Sequence, residues 1–135
     1  MEIFDPYSHA LASMAGYALL MIVLSAMSVA GRTAENRCEC GQPKRNYDDV
    51  AYRRNRAFMN AIETAGPFVM ALMAAILTGG SAMWVNIFAS VFLIARIATA
   101  FVHIATVNQM LRSASWFVSV ICVIALALIG VLGAF

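Results

Sequence analysis

The sequence predicts an all-α integral membrane protein, a bundle of four transmembrane helices, and three observations support that prediction. Of the 135 residues, 62% are hydrophobic and only 12% are charged, about half the charged fraction of an ordinary soluble domain. Asp, Glu, Lys and Arg are absent from three long stretches, 8–31, 64–95 and 113–135. About 20 apolar residues cross the hydrocarbon layer as a helix, and a soluble chain of this length could not cover so much apolar surface.

The two shorter stretches supply one helix each, and the middle stretch supplies parts of two. It is too long for a single span, and it is interrupted by Thr78-Gly79-Gly80-Ser81, a cluster of turn-forming residues. We therefore expect residues 1–135 to form a single transmembrane domain without a soluble domain. Its four helices are expected at about 7–30, 50–77, 83–107 and 112–135.

Basic residues are concentrated on one side of the predicted bundle. The second loop and both terminal segments contain no Lys or Arg, whereas Arg112 opens the fourth helix on the same side as the first loop. Loops rich in Lys and Arg face the cytoplasm, so we expect both termini on the other side of a bacterial inner membrane or of the endoplasmic reticulum. The remaining basic residues on this side, in the first loop or the start of the second helix, are Arg32, Arg37, Lys44, Arg45, Arg53 and Arg54.

The first loop, from Arg32 to Asp49, contains the motif Cys38-Glu39-Cys40. Two thiolates are half of a tetrahedral zinc site, and a zinc interpretation needs two further ligands. No histidine or third cysteine lies nearby in the sequence. We therefore interpret the motif as a reduced, solvent-facing pair of thiols, and we expect no metal.

A polar stripe runs along one face of the second predicted helix. Arg53, Arg56, Asn60, Glu63 and Pro67 are separated by 3, 4, 3 and 4 positions, a spacing that places side chains on one helix face. The proline cannot donate a hydrogen bond to the carbonyl four residues earlier, so we expect a kink beside the glutamate.

The third predicted helix has a matching stripe of Arg96, Thr99 and His103, spaced 3 and 4. At about 1.5 Å per residue, Glu63 and Arg96 lie at a similar depth, roughly 20 Å from the cytoplasmic end of their helices. An isolated charge at that depth costs at least a few kcal/mol. We therefore expect the two side chains to pair.

Two interpretations of these stripes remain open. In one, Glu63 and Arg96 form a structural clamp between helices, and the outer arginines lie among lipid headgroups. In the other, the stripes line a polar cavity that is open to the cytoplasm and binds an anionic ligand. A clamp needs one cation and one anion, so a surplus of donors around one carboxylate favours a ligand with its own carboxylates. The donors are Arg53, Arg56, Asn60, Arg96, His103 and Arg112.

The segment from Arg53 to Phe68 resembles the signature of the MAPEG superfamily, the membrane-associated proteins in eicosanoid and glutathione metabolism. Arg56-Ala57, Asn60, Glu63 and Pro67-Phe68 stand at the offsets of that signature. The four spans, the long first loop and the basic cytoplasmic face agree with it, so the resemblance extends over nearly the whole chain. Looser matches are Ala95-Arg96 and Leu111-Arg112-Ser113.

The resemblance implies a homotrimer that binds glutathione between neighbouring subunits near the cytoplasmic face. It places Arg56, Asn60, Glu63 and Arg112 at positions that contact glutathione. Ser113 falls where some members have a serine near the thiol. The expected partners are glutathione, a hydrophobic small molecule and membrane lipid, with no nucleic acid.

Three further positions match the family less closely. Arg32, at the end of the first helix, is a weaker candidate for glutathione binding because the chain aligns poorly there. Several members have tyrosine where this chain has His103, and a basic residue where it has Met59. These departures leave the binding mode and the substrate open.

The residues and the resemblance together indicate a glutathione transferase or peroxidase that acts on hydrophobic electrophiles. Arginines bind carboxylates through paired hydrogen bonds, and an arginine aided by a hydroxyl can stabilise a thiolate. A non-catalytic lipid- or glutathione-binding protein of the same superfamily remains an alternative. A proton-coupled efflux transporter is a third alternative, disfavoured because arginines surround Glu63, the only acid within the predicted spans. The expected catalytic residues are Arg112 and Ser113, and the expected substrate-binding residues are Arg32, Arg53, Arg56, Asn60, Glu63, Arg96 and His103.

Overall fold

The computed structural model describes residues 2–135, which form a short 3-10 helix at Glu2–Tyr7 and four long α-helices. Each of the four is long and apolar enough to cross a membrane. No strand occurs among the described residues, so the prediction of an all-α, four-span chain is confirmed. The helices are α1 (Ser8–Val29), α2 (Val50–Leu77), α3 (Ala82–Ala105) and α4 (Gln109–Gly133).

Capping side chains determine where the helices on the basic side begin. The Asp49 carboxylate accepts a hydrogen bond from the Ala51 amide at 2.8 Å, so α2 starts at Val50. The Asn108 side chain likewise accepts from the Leu111 amide at 3.1 Å. Such caps satisfy amides that lack a partner in the first turn. Because Asn108 caps α4, the helix begins at Gln109, three residues before the predicted start, and Arg112 lies within its first turn.

Aromatic side chains fill the centre of the bundle. The rings of Phe68 and Phe92 stack with centroids 3.8 Å apart. Tyr17 meets both rings edge-on, at 5.7 and 4.9 Å. Its hydroxyl donates to the Ala61 carbonyl at 2.6 Å and lies 2.8 Å from the Thr64 hydroxyl. In lipid, polar groups need such partners inside the protein, so this cluster joins α1, α2 and α3 at membrane depth.

Small residues let α2 and α4 approach closely towards the end of the bundle opposite the basic loop. A Cβ atom added at Gly130 would lie 2.8 Å from the Ala74 Cβ and 3.0 Å from the Ala75 amide nitrogen. Close backbone approach through small residues is the usual basis of helix association in membranes. Gly130 is therefore required by packing rather than by backbone conformation.

The first loop forms a tight turn in which Cys38 and Cys40 are joined by a disulfide bond. The Cys38 amide donates to the Gln42 carbonyl, and the Gly41 amide donates to the Cys38 carbonyl, both at 2.9 Å. This turn holds the two cysteine Cα atoms 5.2 Å apart, inside the range that a disulfide requires. The prediction of a reduced pair is therefore wrong, because it did not consider the local backbone.

The close contact at Gly130 predicts the effect of a single methyl group. Gly130→Ala should lower the free energy of unfolding by about 1 to 3 kcal/mol, because overpacking forces the two helices apart. Gly66→Ala is the matched control, since its nearest new neighbour is the flexible Met70 Cε at 3.9 Å. Both changes add the same helix propensity. Unfolding in SDS, followed by circular dichroism, should separate them, and equal midpoints would contradict the packing argument.

Candidate functional site

A polar cavity of about 210 Å³ opens at the basic end of the bundle, between the end of the first loop and helices α2, α3 and α4. Its volume is below the roughly 300 to 1,000 Å³ of ordinary small-molecule sites. Five of the predicted site residues line it: Arg56, Asn60, His103, Arg112 and Ser113. Arg56, Asn60 and His103 come from the two predicted polar stripes, and α4 contributes Arg112 and Ser113. The other lining residues are Tyr47, Gln109 and Trp116.

Arg112 is the most enclosed cation of the cavity wall. Its side chain is 8% exposed, and its guanidinium lies over the Tyr47 ring, 4.5 Å from the centroid. Its Nη1 is buried without a hydrogen-bond partner in residues 2–135, and the same holds for Nδ1 of His103. Buried polar atoms normally have partners. Unpaired ones on a cavity wall indicate a ligand that would supply them.

Asn60 and Arg96 form the inner end of the site. Arg96 is only 2% exposed, and its Nη2 donates to the backbone carbonyl of Asn60 at 2.9 Å and to its Oδ1 at 2.8 Å. Because an arginine can only donate, the Asn60 amide oxygen must face it, which leaves the Asn60 Nδ2 available as a donor. Arg96 itself lies behind the cavity wall, so it positions Asn60 rather than lining the site.

Glu63 is not paired with Arg96, contrary to the prediction. Both hydrogen bonds that Arg96 makes within the described part of the chain go to Asn60, and Glu63 is exposed. Asn60 precedes Glu63 by three positions and offers two oxygens to one guanidinium nitrogen. Similar depth in the bilayer therefore did not identify the partner of Arg96, because both Asn60 and Glu63 of α2 could accept from its guanidinium.

Arg32 and Arg53 lie outside the cavity, where they fasten the first loop. The Arg53 guanidinium donates to the carbonyls of Ile104 at 3.0 Å and Tyr47 at 2.6 Å. Arg32 donates to the carbonyls of Ser28 and Gly41, and to the Asn55 Oδ1 at 3.0 Å. Nε and Nη1 of Arg53 and all three nitrogens of the Arg32 guanidinium thus donate to the protein itself.

The structure adds cavity residues that the sequence interpretation missed. Gln109 and Trp116 stand three residues before and four residues after Arg112, so they share its helix face. Their spacing could have revealed them both, although Gln109 lay before the predicted helix, which began at Arg112, and only Trp116 lay within it. No periodicity identifies Tyr47, because it lies in a loop whose position depends on the hydrogen bond from Arg53.

A comparison with models of known protein families identifies the chain. The model described as the MAPEG family matches residues 10–132, which is nearly the whole sequence. The chain belongs to the MAPEG family. A search among curated proteins found no match.

Membership in the MAPEG family gives the cavity its chemical context. The family belongs to a superfamily of membrane proteins in glutathione and eicosanoid metabolism, and it includes glutathione transferases as well as non-catalytic members. Together with the four apolar helices, it establishes an integral membrane protein. Among the described residues that line the cavity none is Asp or Glu, so the wall favours an anionic ligand.

The contact between Tyr47 and Arg112 can be tested by separating the ring from the hydroxyl. Tyr47→Leu should lower the free energy of unfolding by about 0.5 to 1 kcal/mol, because a cation–π contact contributes about that much at a partly exposed site. Tyr47→Phe keeps the aromatic face and should be as stable as the wild type. Unfolding in SDS, followed by circular dichroism, measures both. If Tyr47→Phe loses as much stability as Tyr47→Leu, the hydroxyl rather than the ring face is important.

Proposed function

We propose that this MAPEG protein is a membrane-bound glutathione transferase or peroxidase that acts on hydrophobic electrophiles. The observation that carries the proposal is the buried Arg112, whose Nη1 lacks a hydrogen-bond partner among the described residues. It stands on the wall of a cavity whose described lining includes two arginines and no carboxylate. Glutathione has two carboxylates, an ammonium group and a thiol, so it offers an anion for each arginine.

Arg56 and Asn60 are suited to hold the peptide part of glutathione. A guanidinium binds a carboxylate through two parallel charge-assisted hydrogen bonds. The Asn60 amide, oriented by Arg96, offers Nδ2 to a backbone carbonyl or a carboxylate of the ligand. We assign these two side chains to the binding of glutathione and not to the chemical step.

Arg112 is suited to stabilise the thiolate. A free thiol has a pKa near 8.5 and reacts as the thiolate. Lowering that value by about one to two units needs roughly 1.4 to 2.7 kcal/mol of preferential stabilisation, which a buried cation can provide. Ser113, on the same wall, can donate a hydrogen bond from its hydroxyl to the sulfur. In conjugation, the thiolate forms a carbon–sulfur bond while the leaving group departs with the electron pair of its own bond.

The hydrophobic substrate is expected to enter from the lipid. Trp116 lies on the cavity wall and is exposed, and the neighbouring Phe117 and Ile121 on α4 are exposed as well. In a membrane these side chains face acyl chains. An apolar electrophile dissolved in the bilayer therefore reaches the cavity edge without crossing water.

The exposed Glu63 supports a site that is shared between subunits. A carboxylate at membrane depth that faced lipid would cost several kcal/mol, whereas a neighbouring subunit could cover it and let it bind the ligand's ammonium. The small volume of the cavity in one chain agrees with this arrangement. We propose a homotrimer, with glutathione between subunits, the basic loop in the cytoplasm and both termini on the opposite side.

A non-catalytic lipid-binding member of the family is the second candidate. An apolar groove of about 540 Å³ lies between α2 and α4, towards the ends of both helices remote from the basic loop. It is lined by Pro67, Met70, Ala74, Val123 and Ala127 among others, and such a groove fits an acyl chain. A protein of this kind would bind glutathione or lipid without turnover.

Single arginine substitutions separate binding from chemistry. Arg112→Ala should reduce turnover of a chromogenic aryl halide. It should also raise the pKa of the bound glutathione thiol by about one to two units, towards 8.5, with a smaller change in glutathione affinity. Arg56→Ala should weaken affinity roughly ten- to a hundredfold, because a hydrogen bond to a charged group contributes about 1.5 to 3 kcal/mol.

Arg45→Ala is the matched control, an exposed arginine of the first loop that lies outside the cavity. Stopped-flow thiolate absorbance, equilibrium binding and steady-state turnover provide the three measurements. Full turnover and an unchanged thiol titration in Arg112→Ala would refute the enzymatic assignment. Glutathione binding without turnover in the wild type would favour the second candidate.

The proposed assembly predicts how Glu63→Gln behaves. Native mass spectrometry in mild detergent should show a trimer for both the wild type and this variant, because Glu63 makes no hydrogen bond to Arg96 within its own chain. Glutathione affinity should fall, since the amide no longer attracts an ammonium group. A stable wild-type monomer, or normal affinity in the variant, would contradict the shared site.

A further inference from the structure

The disulfide between Cys38 and Cys40 lies outside the chemistry proposed above. Cys40 is exposed and Cys38 is partly exposed. Cys38 borders a surface cavity of about 430 Å³, whose described lining also includes Ala34, Arg37, Glu39 and Gly41. The bond is thus open to solvent, at the same end of the bundle as the polar cavity.

The backbone around the two cysteines is held by hydrogen bonds that do not depend on the disulfide. Besides the two bonds within the turn, the Lys44 amide donates to the Asn36 carbonyl at 2.7 Å, and Arg37 and Pro43 face each other in an isolated bridge. The Arg32 guanidinium ties the Gly41 carbonyl to Asn55 of α2. Cleavage of the disulfide would therefore leave the two sulfurs close together, and the bond could form again.

The side chains beside the disulfide suit a particular class of thiol. Arg37 and Glu39 are both exposed on the cavity lining. A guanidinium binds a carboxylate, and a carboxylate binds an ammonium group. A thiol compound that carries both groups, as an amino acid or a small peptide does, would find a partner for each charge next to the disulfide.

The predicted orientation gives a second reason to expect exchange. The loop is rich in basic residues and is expected to face the cytoplasm. Disulfides are rare in that compartment, where those present are usually transient and either catalytic or redox-sensing. A solvent-accessible disulfide in such a loop fits a bond that is repeatedly broken and formed.

We propose that Cys38 and Cys40 form a thiol–disulfide exchange site for low-molecular-weight thiols that carry amino and carboxylate groups. The thiolate of one such molecule attacks the exposed Cys40 sulfur, forms a mixed disulfide and releases the Cys38 thiolate. A second thiolate attacks the sulfur of the bound molecule, which forms the small-molecule disulfide and releases the Cys40 thiolate. In total, two thiols are oxidised to one disulfide, the protein disulfide is reduced to two thiols, and excess small-molecule disulfide reverses the reaction.

The proposal does not depend on the glutathione transferase assignment, and its test uses no turnover. The purified full-length protein in detergent, with Cys122→Ala as background, is equilibrated at a series of ratios of reduced to oxidised glutathione. Free thiols are then blocked with a maleimide and counted by intact-protein mass spectrometry. The reduced fraction should rise with the ratio, and Cys38→Ser treated with oxidised glutathione should retain one glutathione on Cys40.

Each alternative outcome overturns the proposal. A pair that stays oxidised at every ratio is a structural disulfide, and one that stays reduced at every ratio forms no such bond. Absence of the mixed disulfide in both Cys38→Ser and Cys40→Ser excludes exchange at this site.

A second comparison tests recognition of the thiol. Arg37→Ala should slow reduction by glutathione about two- to fivefold, the range expected for loss of an exposed ionic contact. Reduction by 2-mercaptoethanol, which has neither charged group, should keep its rate. Equal slowing with both thiols would show that Arg37 affects the reactivity of the disulfide and does not recognise the thiol compound.

Discussion

The hydrogen bonds between Arg96 and Asn60 are the contact on which the polar cavity depends. A buried guanidinium in a bilayer needs acceptors inside the protein, and the Nη2 of Arg96 finds two in one residue of α2, its carbonyl and its side-chain oxygen. The Nε and Nη1 of Arg96 are buried without a partner among the described residues. The same contact fixes the Asn60 amide with its nitrogen available for a ligand. The need of the buried Arg96 for acceptors thereby orients the Asn60 amide on the cavity wall. Without Arg96 the amide could rotate, and the cavity would lose a defined donor.

A second consequence is that the described lining of the cavity in one chain contains no acid. Since Asn60 accepts the Arg96 hydrogen bonds, Glu63 is left on the exposed surface of α2, while Arg56 and Arg112 remain on the cavity wall. In the proposed trimer, the arginines on the cavity wall of one subunit and Glu63 of a neighbouring subunit would together bind a zwitterion. A lipid-facing carboxylate is costly, and a second subunit that covers Glu63 also completes the cavity. Assembly and ligand binding are therefore linked in the proposed trimer.

The sequence predicted most of the fold because apolar helix spans are determined by composition and length, and the 3-4 spacing of polar residues fixes a helix face. That spacing placed Arg56, Asn60 and His103 on polar helix faces, and the family resemblance added Arg112. It could not decide whether Asn60 or Glu63 reaches Arg96, because the choice depends on the rotation of α2 against α3. It could not find Tyr47 either, since tertiary hydrogen bonds position its loop. The cysteine pair was misjudged for a similar reason, because a turn defined by Gln42 and Gly41 controls its geometry.

The arginines of the basic end look equivalent in sequence, and the structure separates them by what their donors contact. A guanidinium whose donors already reach carbonyls, as in Arg32 and Arg53, must break those hydrogen bonds before it can bind a ligand, and each loss of a buried bond costs about 1 to 3 kcal/mol. Arg112 is held differently. Its guanidinium carbon lies over the Tyr47 ring, 4.5 Å from the centroid, so the support comes from an aromatic ring and not from a hydrogen-bond acceptor. Its Nη1 has no partner among the described residues and is available for a hydrogen bond, which is what thiolate stabilisation requires. The aromatic support therefore explains how Arg112 is both buried and chemically available, and why this arginine, rather than a better hydrogen-bonded one, is the candidate for the chemical step.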